Sequence, residues 1–288
     1  MHVLITMRIY QLDAFTDRLF AGNPAAVVPL TDWLPDEQMQ QIAMENNLAE
    51  TAFYVKTDEE NHYHIRWFTP TVEVDLCGHA TLATAYVVFF LEDKGLANAS
   101  VDQIFFDSRS GPLKVCRGEH GWLTLDFPAD VVQKPNLQPP ALLTSVREKP
   151  VAIFKGKTDY LLVYETQEQI EALEPDFREM STIPARGVIV TAPGRTSDDA
   201  TNSEQAVDFV SRFFGPQTGI DEDPVTGSAH TTLVPYWAEK LGKTELTARQ
   251  LSKRGGYLRC KLNDDGTRPA RVDISGQVQL YLTGEIHQ

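Results

Sequence analysis

Cysteine is scarce. Three residues, Cys77, Cys116 and Cys260, are scattered over a chain of 288, too few and too far apart for a disulfide framework or a cysteine-rich zinc cluster. An odd number of thiols fits a reducing compartment, so the cytoplasm is the expected location. Basic residues are also in deficit: 26 Lys and Arg against 40 Asp and Glu leave a formal net charge of −14. No basic run offsets it. Nucleic acid and anionic membrane, both held through neutralised phosphates, are therefore not expected partners. Long apolar runs are missing too. The longest, AYVVFFL, is far short of the roughly 20 residues that cross a bilayer. The opening MHVLITMRIYQLDAF has no charged segment leading into an extended apolar core, so no secretory leader is expected, and Met7 would serve as a start as well as Met1. With 42% hydrophobic and 23% charged residues, what remains is an ordinary globular chain, long enough for one large domain or two average ones.

What the chain does have is an internal repeat, the feature to seek before any other. Arg66-Trp67-Phe68-x-Pro70 corresponds to Arg212-Phe213-Phe214-x-Pro216, an offset of 146 (212 − 66). Downstream, Gly78-His79-Ala80-Thr81 falls opposite Gly227-Ser228-Ala229-His230, an offset of 149 (227 − 78). The difference of three is an ordinary loop insertion. Both copies run on into helical sequence, TLATAYVVFFLEDKG and TTLVPYWAEKLGK. Two matches in one order, ahead of similar helices, point to duplication.

The segments around the repeat read mostly as strands. MRIYQLDAF, AAVVPL, TAFYVK, HYHIRWF, QIFFDS and GWLTLDF in the first half, and VAIFK, DYLLVYE, RGVIVTA, VDFVSRFF and RVDISGQVQLYLTGE in the second, are rich in β-branched and aromatic residues. Ser275-Gly276 suggests a turn or bulge within the last. PDEQMQQIAMENN predicts a helix with Pro35 and two acids in its first turn. After Gly78, the residues Leu82, Ala85, Tyr86, Phe89 and Phe90 form one apolar stripe, and Val87 with Val88 fills the opposite side. A helix apolar all round is buried all round. Each half is thus expected to be an α+β lobe, a curved sheet around one central helix, with a bend at Pro235 in the second helix. The lobes are expected at 1–128 and 129–288, the first open to the C-terminal segment packing back on it, with a linker in the proline-rich stretch 128–143.

A buried helix that starts at a glycine turn offers unpaired N–H groups and the positive end of its dipole. Two such starts lining one cleft would suit a carboxylate or phosphate. The differences between the turns then carry chemistry. The first offers Cys77 and His79; the second offers Asp223 and Ser228, with Glu222 beside them. Glu50, in NNLAETAFY, stands where a loop enters a strand and apolar residues follow. A carboxylate against an apolar wall suits a group that takes and returns a proton.

These segments resemble a known family. LDAFTDRLFAGNPAAVV, LAETAFY, RWFTPTVEVDLCGHAT and GIDEDPVTGSAH are similar to the signatures of the PhzF-like proteins, the phenazine-biosynthesis isomerases. The resemblance implies a duplicated, two-lobed fold of the diaminopimelate-epimerase kind, each lobe a barrel-like mixed sheet around a helix, with the site between them. It implies a homodimer without metal or organic cofactor, and isomerisation of a small carboxylate, a dihydro-hydroxyanthranilate in the best-understood case. Residue by residue, Glu50 matches the acid/base glutamate and His79 the active-site histidine. Asp223 and Ser228 match the aspartate and serine opposite. Gly78 and Gly227 match backbone positions that grip the substrate carboxylate, and Asn23 is expected to help hold substrate.

Other readings stand beside this one. The related epimerases use paired cysteines; Cys77 stands near the first such position, and EDPVTGSA has no second. An amino-acid racemase or epimerase using Cys77 is one alternative, and a non-catalytic binder of an anionic metabolite is another. Ser228 could equally cap its helix and Asp223 shape its turn. A Cys77–His79 thiol hydrolase is disfavoured, because side chains two apart on a helix diverge. His62 and His64 share a strand face without a third ligand, so no metal site is expected there. SDDATNSEQ, 197–205, is expected to be a solvated loop.

Overall fold

The computed structural model describes residues 6–92, 101–195, 206–266 and 269–287, so the loop expected at 197–205 lies outside the described residues. The chain divides into two compact units, Met1–Asp126 with Ser275–Gln288, and Phe127–Ile274.

In the first unit, strands β1 (Thr6–Ala14) and β2 (Asn23–Leu30) are antiparallel, and β3 (Glu50–Lys56) lies parallel to β2. Strand β4 (His62–Phe68) runs antiparallel to β3 and takes two further partners: the short antiparallel β5 (Glu73–Val74) and the parallel β6 (Gln103–Ser108). An antiparallel β7 (Gly111–Arg117) follows β6. Helix α1 (Asp36–Asn46) begins after Pro35, which stands at the N-cap and not in the first turn, and stops at Asn47, whose φ of 48° is left-handed. Met39, Ile42 and Ala43 of α1 pack with Val28, Phe53 and Phe68. Helix α2 (Gly78–Tyr86) lies against β1, β2 and β3, and all its residues from Gly78 to Ala85 are buried. It continues as a wider π turn, Val87–Glu92.

Strand β8 (Leu123–Pro128) leads the chain from the first unit into the second. There the same order of pairings recurs. Strands β9 (Ala152–Lys155) and β10 (Asp159–Val163) are antiparallel, and β11 (Gly187–Pro193) lies parallel to β10. Strand β12 (Phe209–Gly215) is antiparallel to β11, and it too takes a short antiparallel partner, β13 (Ile220–Asp223), and a parallel one, β14 (Glu245–Gln250). An antiparallel β15 (Gly256–Asn263) follows. Helix α3 (Gly227–Leu241) runs as one element through Pro235 and ends at Gly242, left-handed at φ 67°. Strand β16 (Arg271–Gly276) returns the chain to the first unit, where β17 (Val278–His287) pairs antiparallel with β1.

The repeated Arg-x-Phe motif has the same role in both copies. Arg66 clamps Glu73 through Nε and Nη2, both at 2.7 Å, and Arg212 clamps Glu222 at 2.7 and 3.0 Å. Each guanidinium also lies over the phenylalanine two residues on, Phe68 and Phe214. In both copies that phenylalanine is the register partner of the clamped glutamate. A forked, charge-assisted pair holds the short strand that feeds the helix turn.

Candidate active site

The turn that opens α2 gathers residues from three separate stretches of sequence. Cys77 is the N-cap, with extended backbone at φ −142° and ψ 110°. Asn23 is the first residue of β2 and Glu50 the first of β3. The parallel pairing of those strands sets Glu50 opposite Ala25, two residues from Asn23, a spacing that returns a strand side chain to one face. His79 stands between them. Its Nε2 lies 3.1 Å from Glu50 Oε2, and its Nδ1 lies 3.2 Å from Asn23 Nδ2 and 3.5 Å from Cys77 Sγ. The His79 side chain is only 6% exposed and that of Glu50 12%. Neither His79 Nε2 nor Glu50 Oε2 has a well-aligned hydrogen-bond partner among the described residues.

The contact of Cys77 with His79 corrects the expectation that their side chains diverge. That expectation treats both as helical. The extended backbone of the N-cap residue turns its side chain back over the first turn, so residues two apart meet. A second juxtaposition was equally hidden: one donor atom each from Glu50, Cys77 and His79 lies within 4.8 Å of the others. Burial works to lower the His79 pKa, but the neighbouring sulfur and the Glu50 carboxylate outweigh it, and the ring holds its proton well above the usual range. Burial, helped by the Glu50 charge, pushes the Cys77 thiol up to about 11.

The corresponding turn of the second unit is built differently. Thr226 is the N-cap of α3, and its hydroxyl donates to Asp223 Oδ2 at 2.5 Å. Gln250 braces the loop, accepting from the Thr226 amide at 2.9 Å and donating to the Asp223 carbonyl at 2.8 Å. Ser228 does not cap the helix; its Oγ accepts from Arg186 Nη1 at 2.8 Å, while Arg186 grips the buried Asp159 with Nε and Nη2. His230 Nδ1 donates to the Thr226 carbonyl at 2.9 Å, and in the first unit Thr81 Oγ1 donates to the Cys77 carbonyl at 2.5 Å. Position four of each helix thus secures its own N-cap. Gly78 and Gly227 are the first residues of their helices, and both are buried.

Asn23, Glu50, Gly78 and His79 therefore meet in the first unit, and Asp223, Gly227 and Ser228 share one turn of the second. Arg186 escaped the sequence reading, because an arginine ahead of a strand carries no local signal. His62 stacks on Phe105 and His64 faces Asp107 at 3.9 Å, each across the pairing of β4 with β6.

A family model described as phenazine biosynthesis-like protein matches residues 12–284. The chain belongs to that family. An uncharacterized isomerase of Pseudomonas aeruginosa is 49% identical over 281 residues, covering 98% of this chain and 99% of the relative. The crystal structure of a PhzF-family protein from Enterococcus faecalis superposes with a TM-score of 0.85 at 41% identity, covering 99% of this chain and all of that one. A hydroxyproline epimerase from Agrobacterium vitis shares the fold, with a TM-score of 0.61 at 10% identity over 98% of this chain and 92% of its own. This PhzF-like protein is thus an isomerase with the diaminopimelate-epimerase-like fold. No helix among the described residues is long and apolar enough to cross a membrane.

Proposed function

We propose that this PhzF-like isomerase moves a proton between carbon atoms of a small carboxylate, with Glu50 as the group that takes and returns it. The 3.1 Å approach of the buried Glu50 Oε2 to His79 Nε2 carries the reading. With the ring protonated, the pair is neutral overall. When Glu50 accepts a carbon-bound proton, the imidazolium stays behind, next to the negative charge that appears on the substrate. A fixed charge in a site shielded from water stabilises such a transition state far better than it would in bulk solvent. Asn23 stands at the other ring nitrogen, its amide 3.2 Å from Nδ1, and the amide oxygen, turned to that side, is the acceptor an imidazolium N–H requires. The amides at the Gly78 turn and the helix dipole favour the substrate carboxylate. Asp223, Ser228 and Gly227 join the reaction on the strength of the family resemblance, and a dihydro-hydroxyanthranilate-like acid, a homodimeric assembly and a cytoplasmic setting complete the proposal.

The test uses heavy water. Candidate carboxylates are ranked by thermal stabilisation, which grows with ligand concentration over Kd, and hits are followed for deuterium wash-in at carbon. Glu50→Gln should lower exchange by about 10²–10⁴-fold while thermal stabilisation persists. A variant that exchanges at the normal rate removes Glu50 from this role, and Asp223→Asn in the same assay tests the second turn. The 3.5 Å contact of Cys77 Sγ with His79 favours a second reading, in which the thiol is one base of a racemase or epimerase. Under that reading Cys77→Ser loses exchange as completely as Glu50→Gln does.

A further inference from the structure

Proton transfer by Glu50 and His79 makes no use of the third group at the α2 turn. Cys77 is buried, with its Sγ 3.5 Å from His79 Nδ1, and donor atoms of Glu50, Cys77 and His79 lie mutually within 4.8 Å. Thiolate, imidazole and carboxylate are the side chains that zinc takes, at about 2.3, 2.0–2.1 and 2.0–2.2 Å. Around a tetrahedral ion such donors stand roughly 3.3–3.8 Å apart; the sulfur now faces His79 Nδ1 and the carboxylate Nε2, so closing the three on one centre takes a turn of the His79 ring that presents a single nitrogen to both. Glu50 Oε2 and His79 Nε2 are buried 3.1 Å apart without a well-aligned hydrogen bond, and a metal bound by both would replace that pairing. The mixed sulfur, nitrogen and oxygen set selects against magnesium and calcium, which prefer oxygen alone. No other group of this kind occurs among the described residues. The second turn has Thr226 where the first has Cys77, and Ser228 where it has His79.

We propose that Glu50, Cys77 and His79 form a binding site for a borderline-soft divalent cation of the zinc class, and that the cation and proton transfer at Glu50 exclude each other. The second half of this statement rests on the proposed function; the first does not. On binding, the Cys77 S–H bond is replaced by an S–metal bond and His79 gives up the proton on its ligating nitrogen, both protons passing to solvent. Affinity therefore falls as the pH is lowered. Three protein donors leave a fourth position for water or a ligand carboxylate.

Cobalt(II) is the probe. Chelator-treated full-length protein is titrated while the thiolate-to-cobalt charge-transfer absorption is followed. The expected result is a band that saturates at one ion per chain, disappears in Cys77→Ser, survives in Cys116→Ser, and is displaced by zinc but not by magnesium. Glu50→Gln and His79→Asn should each bind cobalt at least tenfold more weakly. Absence of the band, or its persistence in Cys77→Ser, overturns the site. Should Cys77→Ser fail to fold, unchanged affinity in the other two variants overturns it instead. Deuterium exchange by the metal-free protein tests the reaction separately, so either result can fail alone. Zinc should abolish that exchange, and exchange that continues at saturating zinc overturns the mutual exclusion.

Discussion

Two buried histidines, one per unit, are set in opposite ways by what surrounds them. The Cys77 sulfur and the Glu50 carboxylate hold the proton on His79 against burial, whereas His230 has, among the described residues, a hydrogen bond only to the Thr226 carbonyl, and burial pushes it down to about 4. The consequences for stability have opposite signs. For His230 the unfolded chain takes up a proton first as the pH falls, so stability present above pH 6.5 drains away down to about pH 4. At about 1.4 kcal/mol for each pH unit between those values, the loss amounts to about 3 kcal/mol. Thermal melts at pH 4.5 and 7 should show a smaller acid loss in His230→Asn than in the parent protein; equal losses would mean that the ring is not what titrates. For His79 the contribution is complete below its unfolded value of 6.5 and is lost as the pH rises through the folded one.

At the level of elements, the α2 helix is positioned by how closely strands approach it. Gly276 closes β16, and a Cβ there would come within 2.4 Å of the Phe15 ring and 3.2 Å of Leu82 Cδ2 on the helix. Phe15 is fully buried with a left-handed backbone at φ 62°, so it has little room to give way. Gly276→Ala should therefore cost about 1–3 kcal/mol through overpacking, measured as a lower urea midpoint with the slope unchanged. An unchanged midpoint would show that Phe15 can move. The turn or bulge suggested by Ser275-Gly276 thus answers to a contact far along the chain. The two arginine clamps are the other device at this scale: they fix β5 and β13 at a common register and so deliver each helix start at the same point of its sheet.

Over the whole molecule, a formal charge of −14 makes the folded chain repel itself. Salt screens that repulsion, with a Debye length of about 8 Å at physiological ionic strength. The melting temperature should accordingly rise by a few degrees between about 10 and 150 mM sodium chloride, as differential scanning fluorimetry can measure. A fall would mean that surface ion pairs such as Arg195 with Glu168 and Glu171 outweigh the net charge.

Several parts of this protein are written in local sequence. Alternating β-branched runs mark strands β1 to β4 and β9 to β12, because burial on a pleated surface rewards those residues wherever they stand. The doubled Arg-x-Phe and glycine-turn motifs reveal the repeat, since both copies need the same clamp and the same tight helix entry. Glu50 and His79 are singled out by the family's short signatures, and the structure brings them within 3.1 Å. Strand β14, ELTARQ, is not legible, for its residues favour helix, and pairing with β12 and β15 overrides that preference. Nor does any spacing show Cys77 touching His79, Arg186 holding Ser228, or three donors converging at α2. Those contacts follow from an extended N-cap and from strands brought together across long stretches of chain. The sequence by itself determines which groups are present and which segments hide from water. Only the tertiary structure decides which of them come within reach, because proton and metal chemistry act over a few ångströms and no local signal measures that distance.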